Sequence, residues 1–399
     1  MIKKIIISSI FLLSNSCSGG SSSSPEIETP PSNGPEPAER TSSWELEHVP
    51  PGEVGVHDQV VSDILSYVFT DTAVQAAVIV KRGWKIGERY AAGYDANSYG
   101  TSWSMAKSFY SAAIGAAILE GWISSVDQKA SYFLTEWIGT NKEDITIRNI
   151  LEMRSGLSGG DHGGTEIIYT ENQTEFALNA ALTGTPGETW AYSNPTSQLF
   201  APIIERATGL DAHTYLTQKI LTPIDVDINQ IGLWLDPSGQ NPITYCCIDM
   251  RPEDFARLGL LYARGGEWRN TQIIPEEYVS DSTSVQWLFY GYQWWILNSD
   301  FLGGTVDHDE IFAAIGYHGQ NIWVWPEQDV VIVILSLYDH SPNAGYTLGG
   351  GGDDLSSANF PNTCTGRNDC SWSEGSPIPS FNQLTLWNLV QGLADDHVR

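Results

Sequence analysis

Two segments near opposite ends of the chain each predict a pair of antiparallel β-strands. Residues 75–94 read as a strand, a turn at Gly83 and a second strand, and residues 322–338 read as two buried strands around a turn. Because strands joined by such short turns run antiparallel, each segment predicts a hairpin. Helical apolar spacing at residues 57–69 and 381–396 places one further helix beside each hairpin.

The long middle of the chain predicts helices rather than strands. Helices are expected over residues 106–121, over 145–157 with an end at Gly156, and over 251–268 with a stop at Gly265–Gly266. Since the first and last strands must meet to complete one sheet, the helical part is an insertion between them. The predicted fold class is therefore α+β, an antiparallel sheet flanked by helices with an inserted, mainly helical subdomain.

The first 44 residues have the composition of targeting and linker segments. Residues 1–16 combine a basic start, a short apolar core and small polar residues, which predicts a signal peptide. Residues 17–44 are rich in Ser, Gly, Pro and Glu, which predicts a flexible tether and leaves residues 45–399 as the folded domain. Cys17 resembles the lipidated cysteine of bacterial lipoproteins, although Ser14 stands where their signals usually carry Leu. We expect an exported protein, either a cell-envelope lipoprotein anchored through Cys17 or a secreted one.

Four further cysteines, Cys246, Cys247, Cys364 and Cys370, bear on disulfides and metals. In an oxidising compartment three pairings among them are open. A bond between Cys364 and Cys370 closes a short loop and is the pairing we expect, which leaves the pairing of Cys246 and Cys247 open. No Cys-x-x-Cys motif or nearby His completes a zinc site, so we predict no metal and no cofactor.

The chain is strongly acidic, with 48 Asp and Glu against 20 Lys and Arg and a net charge of -28. Such a surface repels phosphate backbones, and no cluster of basic residues overrides it, so no nucleic-acid partner is expected. The hydrophobic fraction of 41% is enough for the core of an enzyme-sized domain. We expect a small-molecule amide or ester as partner, and membrane contact only through an N-terminal lipid anchor.

The stretch SWSMAKSFYSAAIGAAILEG, residues 102–121, places Ser104 and Lys107 three apart at the start of an apolar helix. Residues i and i+3 share a helix face, so the Lys107 amine can reach the Ser104 hydroxyl and activate it as a nucleophile. Burial would keep that amine neutral, and the unpaired N–H groups at the helix start would stabilise an oxyanion. The alternative is that Ser104 is only the N-cap of the helix.

A second serine motif, GLSGG at residues 156–160, matches the nucleophile elbow around Ser158. That elbow requires a hydrophobic strand before the serine and a helix after it. Here a predicted helix precedes the serine and a Gly-rich loop follows it, so we do not expect Ser158 to be catalytic.

Further motifs follow the Ser104 helix in order along the chain: ITIRNILEMRSGL, PGETWAYSN, RPEDFARLGLLYARGGEW, YGYQWW and AAIGYHGQNIWVWP. Together with WSMAKSF they resemble the serine β-lactamase and penicillin-binding-protein superfamily. The resemblance is greatest to its class C-like branch of carboxylesterases and 6-aminohexanoate-dimer hydrolases. It runs from about residue 45 to the C-terminus and implies a β-lactamase/transpeptidase-like fold.

The resemblance also implies roles for individual residues. Tyr192, in the Y-x-N element, would relay the proton between Ser104 and the leaving group. A positive charge on Lys107 would help that phenol to lose its proton. Asn194 would orient Lys107 and a substrate carbonyl, and the backbone N–H groups of Ser104 and Tyr317 would form the oxyanion hole.

The third motif of the superfamily differs in this chain. Where the β-lactamases carry Lys-Thr-Gly, this chain has Ile315–Gly316–Tyr317 followed by His318, which resembles an Ile-Gly-x-His-Gly-Gln run of the amide-hydrolase branch. The lysine that grips a β-lactam carboxylate is absent, and His318 either replaces it in part or is structural. We assign to the substrate-binding surface Asn194, His318, Gly319, Trp103 and Trp190.

The sequence therefore predicts a serine hydrolase that cleaves an amide or ester bond through an acyl-enzyme on Ser104. The resemblance points to amides of the 6-aminohexanoate-oligomer type or to short-chain esters. Two alternatives stay open. One is a β-lactamase or D-alanyl-D-alanine carboxypeptidase, and the other is a non-catalytic binding or sensor lipoprotein on the same fold.

Overall fold

Strands from both ends of the chain form one antiparallel sheet. The computed structural model describes residues 40–71, 73–159, 165–304, 306, 311–336, 347–349 and 381–395. Its strands are β1 Val74–Lys81, β2 Trp84–Tyr90, β3 Gly100–Thr101, β4 Gly232–Leu235, β5 Ile248–Met250, β6 Glu267–Trp268, β7 Thr271–Gln272, β8 Trp295–Ile296, β9 Phe312–Gly316, β10 Gln320–Trp325, β11 Val330–Ser336 and β12 Thr347–Gly349. The main sheet has the order β2-β1-β11-β10-β9-β8, so β1 near the start of the domain pairs directly with β11 near its end.

Helices account for most of the remaining regular structure. The α-helices are α1 Asp58–Val68, α2 Ala106–Leu119, α3 Ile147–Leu151, α4 Gln173–Asn179, α5 Asn194–Gln198, α6 Phe200–Thr208, α7 Ala212–Leu216, α8 Pro252–Ala263, α9 Glu276–Ser282, α10 Ser299–Leu302 and α11 Gln383–Val390. Short 3-10 turns at Trp103–Met105 and Tyr317–Gly319 lie beside α2 and β9, respectively.

Helices cover both faces of the central strands. Val78 and Val333 face one another across β1 and β11 and belong to a core that includes Phe109 of α2 and Phe255 of α8. Alternate residues of the same strands belong to a second core with α1 and α11, which includes Trp387. Because successive strand residues point to opposite faces, this two-sided cover explains why β1 and β11 are buried along their whole length and mainly apolar.

A smaller sheet, in the order β12-β4-β5-β3, carries the chain into α2. Thr101 of β3 pairs with Asp249 of β5, and the 3-10 turn that holds Ser104 follows at once. Helix α2 is buried on all sides from Ala106 to Ala117, which agrees with its mainly apolar sequence. The nucleophile candidate therefore lies where a fixed strand meets a buried helix.

The structure confirms the predicted α+β architecture, both hairpins and the helices at the two ends. It corrects the helix expected over residues 145–157, because α3 ends at Leu151. Met153 adopts a left-handed φ of 58°, its N–H bonds the carbonyl of Ile150, and the N–H of Arg154 bonds the carbonyl of Asn149. These two bonds form a Schellman motif. Such motifs usually have glycine at the left-handed residue, so Met153 carries no sequence signal for the end of the helix.

The N-terminal predictions fall mostly outside the described residues. The signal peptide at 1–16, Cys17 and the expected Cys364–Cys370 bond all lie outside them. The last residues of the predicted tether are within the described part of the chain. The Ser43 N–H donates to the carbonyl of Arg82, and the Trp44 ring packs against Trp268. Residues 40–44 therefore belong to the folded domain. Among the described residues no helix is long and apolar enough to cross a membrane.

Candidate active site

Ser104 lies in the 3-10 turn that joins β3 to α2, and this turn is tightly fixed to β5. The Ser102 N–H donates to the Ile248 carbonyl at 2.8 Å, and the Ile248 N–H donates back to the Ser102 hydroxyl at 2.8 Å. Between them and Ser104, Trp103 adopts a left-handed φ of 43°, which non-glycine residues seldom adopt unless the surroundings hold them there. The turn does not use Ser104 as a side-chain cap.

Three oxygen atoms surround the amine of Lys107. Its Nζ lies 2.9 Å from Oγ of Ser104, 2.8 Å from Oδ1 of Asn194 and 2.7 Å from the backbone carbonyl oxygen of Tyr245. A neutral amine has two N–H donors and one lone pair. Asn194 and Tyr245 accept the two N–H groups, which leaves the lone pair directed at the Ser104 hydroxyl.

Burial sets the protonation state of Lys107. The side chain is 1% exposed, and removal from water lowers its pKa well below the ordinary 10.5. No carboxylate contributes to this shift, so nothing offsets the loss of hydration. The amine is therefore predisposed to be neutral and able to accept a proton.

Tyr192 stands beside this pair. Its ring centre is 4.9 Å from Nζ of Lys107, in the loop that leads into α5. Burial raises the pKa of Tyr192 above its ordinary 10.0, and the Ser104 hydroxyl opposes that shift only in part. The expected lowering by a charged Lys107 is not found, because the lysine itself is pushed towards its neutral form. Tyr192 is thus a protonated phenol in the resting site.

The start of α5 fixes Asn194. The Ser193 hydroxyl caps this helix by accepting the N–H of Thr196 at 3.2 Å, and Pro195 occupies its first turn. Asn194 is consequently the first helical residue and its amide oxygen reaches Lys107. The Y-x-N spacing therefore brings Tyr192 and Asn194 to opposite sides of one amine.

The end of β9 closes against the Ser102–Ser104 turn. A Cβ atom built on Gly316 would lie 2.2 Å from the carbonyl oxygen of Ser102, so only glycine permits this approach. The rings of Trp103 and Tyr317 make an edge contact with centres 5.7 Å apart. Tyr317, the residue after Gly316, therefore lies next to this turn. The assignment of its N–H to an oxyanion hole stays a prediction.

The other residues assigned to substrate binding occupy different positions around this centre. Gly319 ends the 3-10 turn after β9, with a φ of 81°, and the side chain of His318 lies outside the described part of the structure. Trp190 packs against Tyr192 with ring centres 6.5 Å apart. Its role, like that of Gly319, stays a prediction.

The sequence analysis missed two neighbours of the site. Trp295 stacks on Tyr192 at 5.6 Å, and the doublet Trp294–Trp295 of YGYQWW was the available signal, since it stands at the start of β8. Trp294 is the buried member of the doublet. The Tyr245 carbonyl was also missed, because a backbone acceptor leaves no mark on the sequence.

Ser158 lies apart from the arrangement around Lys107. It follows helix α3 rather than a strand, and its N–H bonds the carbonyl of Ala181. The strand–serine–helix geometry of a nucleophile elbow is therefore not formed on its N-terminal side. Within the described residues, no group of three or more His, Cys, Asp or Glu side chains is placed to hold a metal ion.

Comparisons with known proteins point to one family. A model of the Beta-lactamase family matches residues 70–348. The 6-aminohexanoate-dimer hydrolase of Paenarthrobacter ureafaciens is 22% identical over 306 residues, which span 67% of this chain and 74% of that protein.

Solved structures show the same fold. A proposed 6-aminohexanoate-dimer hydrolase from Bacillus anthracis is similar with a TM-score of 0.60 and 20% identity, over 84% of this chain and 82% of that one. A penicillin-binding protein homologue from Caulobacter crescentus is similar with a TM-score of 0.58 and 15% identity, over 70% of this chain and 92% of that one.

The close approach of Gly316 to Ser102 generates a first prediction. Gly316→Ala should lower kcat/KM by about 100-fold, because a methyl group 2.2 Å from the Ser102 carbonyl must push β9 away from the turn. Gly159→Ala is the matched control near Tyr192, since its added Cβ would meet nothing closer than 3.5 Å. Hydrolysis of a p-nitrophenyl ester measures both variants. Wild-type activity in a folded Gly316→Ala protein would contradict the assignment of the Ser102–Ser104 turn and the end of β9 to the active site.

Proposed function

This chain is a member of the beta-lactamase family, and on that premise we propose that it is a serine hydrolase that cleaves an amide or ester bond through an acyl-enzyme on Ser104. The observation that carries the proposal is the set of contacts around Lys107. Two acceptors, on Asn194 and Tyr245, take its N–H groups, and burial favours its neutral form. A lysine prepared in this way is a base for Ser104 at 2.9 Å.

Acylation begins when the Ser104 hydroxyl gives its proton to Lys107 while its oxygen attacks the substrate carbonyl carbon. The carbonyl oxygen takes up negative charge, which the backbone N–H groups of Ser104 and Tyr317 stabilise. Tyr192, held protonated, donates its proton to the leaving amine or alcohol as the bond to that group breaks. The phenolate then recovers a proton from Lys107, which returns to its neutral form.

Deacylation reverses these proton transfers with water in place of the leaving group. Lys107 is again neutral and accepts a proton from the attacking water, with Tyr192 between them as relay. The same proton returns to Oγ of Ser104 when the acyl bond breaks. Two difficult steps are thus served by one base and one acid.

A non-catalytic binding protein on this fold accounts less well for the site. A lysine buried without a carboxylate costs stability, and a binding protein gains nothing from carrying that cost beside a serine. Among the described contacts, the phenol of Tyr192 hydrogen-bonds the Ser104 hydroxyl, so it lies where an acid for the leaving group is needed.

The surroundings favour neutral or amine-bearing substrates. A cavity of about 850 Å³ is lined by Ser158 and by Glu166, Glu171 and Glu175, and the adjoining Gly159 lies beside the Tyr192 backbone. Carboxylates at this position attract an ammonium group and repel a carboxylate, and the net charge of -28 adds to the effect. The likeness to hydrolases named for the 6-aminohexanoate dimer supports a linear amide that carries a free amine.

Replacement of the nucleophile tests the proposal. Ser104→Ala should abolish both turnover of p-nitrophenyl esters and labelling by a fluorophosphonate probe, because it removes the hydroxyl that Lys107 is proposed to deprotonate. Ser158→Ala is the control and should leave labelling and most of the turnover intact, since Ser158 lines the neighbouring cavity and is not among the hydrogen-bond partners of Lys107. Labelling that survives in Ser104→Ala and disappears in Ser158→Ala would overturn the proposal.

Substrate preference separates this proposal from the β-lactamase alternative. A 6-aminohexanoate dimer or a short-chain p-nitrophenyl ester should exceed nitrocefin in kcat/KM, because no lysine stands at residues 315–317 to hold the β-lactam carboxylate. All three substrates are compared on one preparation at fixed ionic strength, since salt weakens the long-range repulsion. Nitrocefin hydrolysed far faster than both others would restore a β-lactamase.

A further inference from the structure

Two adjacent cysteines lie directly behind the candidate active site. Cys246 and Cys247 are 3% and 2% exposed, and the structure places their sulfur atoms at bonding distance as a vicinal disulfide. Disulfides persist in oxidising compartments, which agrees with the predicted export of the protein. The mechanism proposed above makes no use of either sulfur.

The backbone on each side of this pair contacts the catalytic residues. The carbonyl of Tyr245 accepts a hydrogen bond from Nζ of Lys107 at 2.7 Å. The N–H of Cys247 donates to the carbonyl of Trp103 at 3.3 Å, one residue before Ser104. The cysteine pair is thus joined to both sides of the site. The Tyr245 carbonyl just before it binds Lys107, and its own Cys247 N–H binds the turn that contains Ser104.

The next residues tie the same segment to the rest of the small sheet. The carbonyl of Cys247 accepts the N–H of Trp234 at 3.4 Å, and Ile248 exchanges two hydrogen bonds with Ser102. The segment 245–248 is therefore fixed at its far end by strand pairing. Its near end is held by hydrogen bonds of Thr244 and of the Tyr245 hydroxyl, and the disulfide adds a covalent restraint there.

The backbone of this segment is in a conformation that needs a restraint. Cys247 has a φ of 75°, and its hydrogen-bond partner Trp103 has a φ of 43°. Both are left-handed conformations that residues with a Cβ seldom adopt unless other contacts hold them. A bond between the side chains of neighbouring residues closes a small ring around their shared peptide, and so limits the conformations open to Cys247.

We propose that the Cys246–Cys247 disulfide is a positioning element of the catalytic centre, which holds Cys247 in its left-handed conformation and thereby keeps the Tyr245 carbonyl on Lys107 and the Cys247 N–H on Trp103. The proposal rests on the proposed hydrolase function of Ser104 and Lys107. Without the bond, Cys247 relaxes, the Tyr245 carbonyl moves away from Nζ, and the lone pair of Lys107 is no longer fixed on Ser104. The chemical step slows while substrate binding is retained.

Two double variants test whether the bond acts through the conformation of residue 247. Cys246→Ala/Cys247→Ala should lose about 10- to 100-fold in kcat and in the rate of fluorophosphonate labelling, with KM for a p-nitrophenyl ester little changed. Cys246→Ala/Cys247→Gly should recover part of that loss, because glycine adopts a positive φ without penalty. Both rates are expressed per mole of folded protein, measured by circular dichroism, because glycine at residue 247 would relieve a general loss of stability as well.

Cys364→Ala/Cys370→Ala is the matched control for removal of a cysteine pair and should keep wild-type kcat. A folded Cys246→Ala/Cys247→Ala protein with wild-type kcat and labelling rate would overturn the proposal. A wild-type protein that neither turns over the ester nor reacts with the probe would instead overturn the proposed function, so the two failures are distinguishable.

Reduction in the Cys364→Ala/Cys370→Ala background tests the same bond without altering residues 246 and 247. A dithiol reagent supplies two electrons and two protons, becomes a cyclic disulfide, and leaves Cys246 and Cys247 as thiols. Samples are assayed with the fluorophosphonate and then quenched with an alkylating agent, and mass spectrometry gives the reduced fraction. The labelling rate should fall in proportion to that fraction. Undiminished labelling of fully reduced protein, or free thiols at both positions in untreated protein, would overturn the proposal.

Discussion

The hydrogen bonds of one buried amine organise the functional part of this protein. Nζ of Lys107 meets Ser104, Asn194 and the Tyr245 carbonyl at 2.7–2.9 Å, from three separate regions of the chain. Because the side chain is 1% exposed and no carboxylate contributes, loss of hydration lowers the pKa of the amine. The same burial raises the pKa of Tyr192, so in the proposed mechanism one physical cause separates a base from an acid within one small site.

The architecture serves to bring those regions together. Strand β1 pairs with β11 and completes the main sheet. This sheet places β9 against the Ser102–Ser104 turn, where only glycine fits at residue 316. The small sheet fixes that turn from the other side through Ile248. Helix α2 is mainly apolar and buried from Ala106 to Ala117, and Lys107 is buried with it. In the proposed mechanism the fold therefore supplies desolvation and placement, and the side chains supply the proton transfers.

Much of this was predictable from the sequence, for reasons that mark the limit of such prediction. The hairpins and α2 followed from local apolar patterns, and Ser104 and Lys107 from the geometry of one helix turn. The end of α3 at Leu151 and the Tyr245 carbonyl did not, since the first depends on a left-handed Met153 and the second on a backbone atom. The lowering of the Tyr192 pKa that a charged Lys107 would cause is not found, because burial opposes the charge on that amine.

The most direct test of the central claim is the pH dependence of fluorophosphonate labelling at Ser104. The base must be neutral, so the labelling rate should rise with pH through the pKa of Lys107 and reach its plateau well below the ordinary 10.5. Tyr192→Phe should retain that rising limb, which assigns it to the lysine rather than to the phenol. A limb centred near 10.5, or one that disappears in Tyr192→Phe while the protein still labels, would contradict a buried neutral Lys107 as the base.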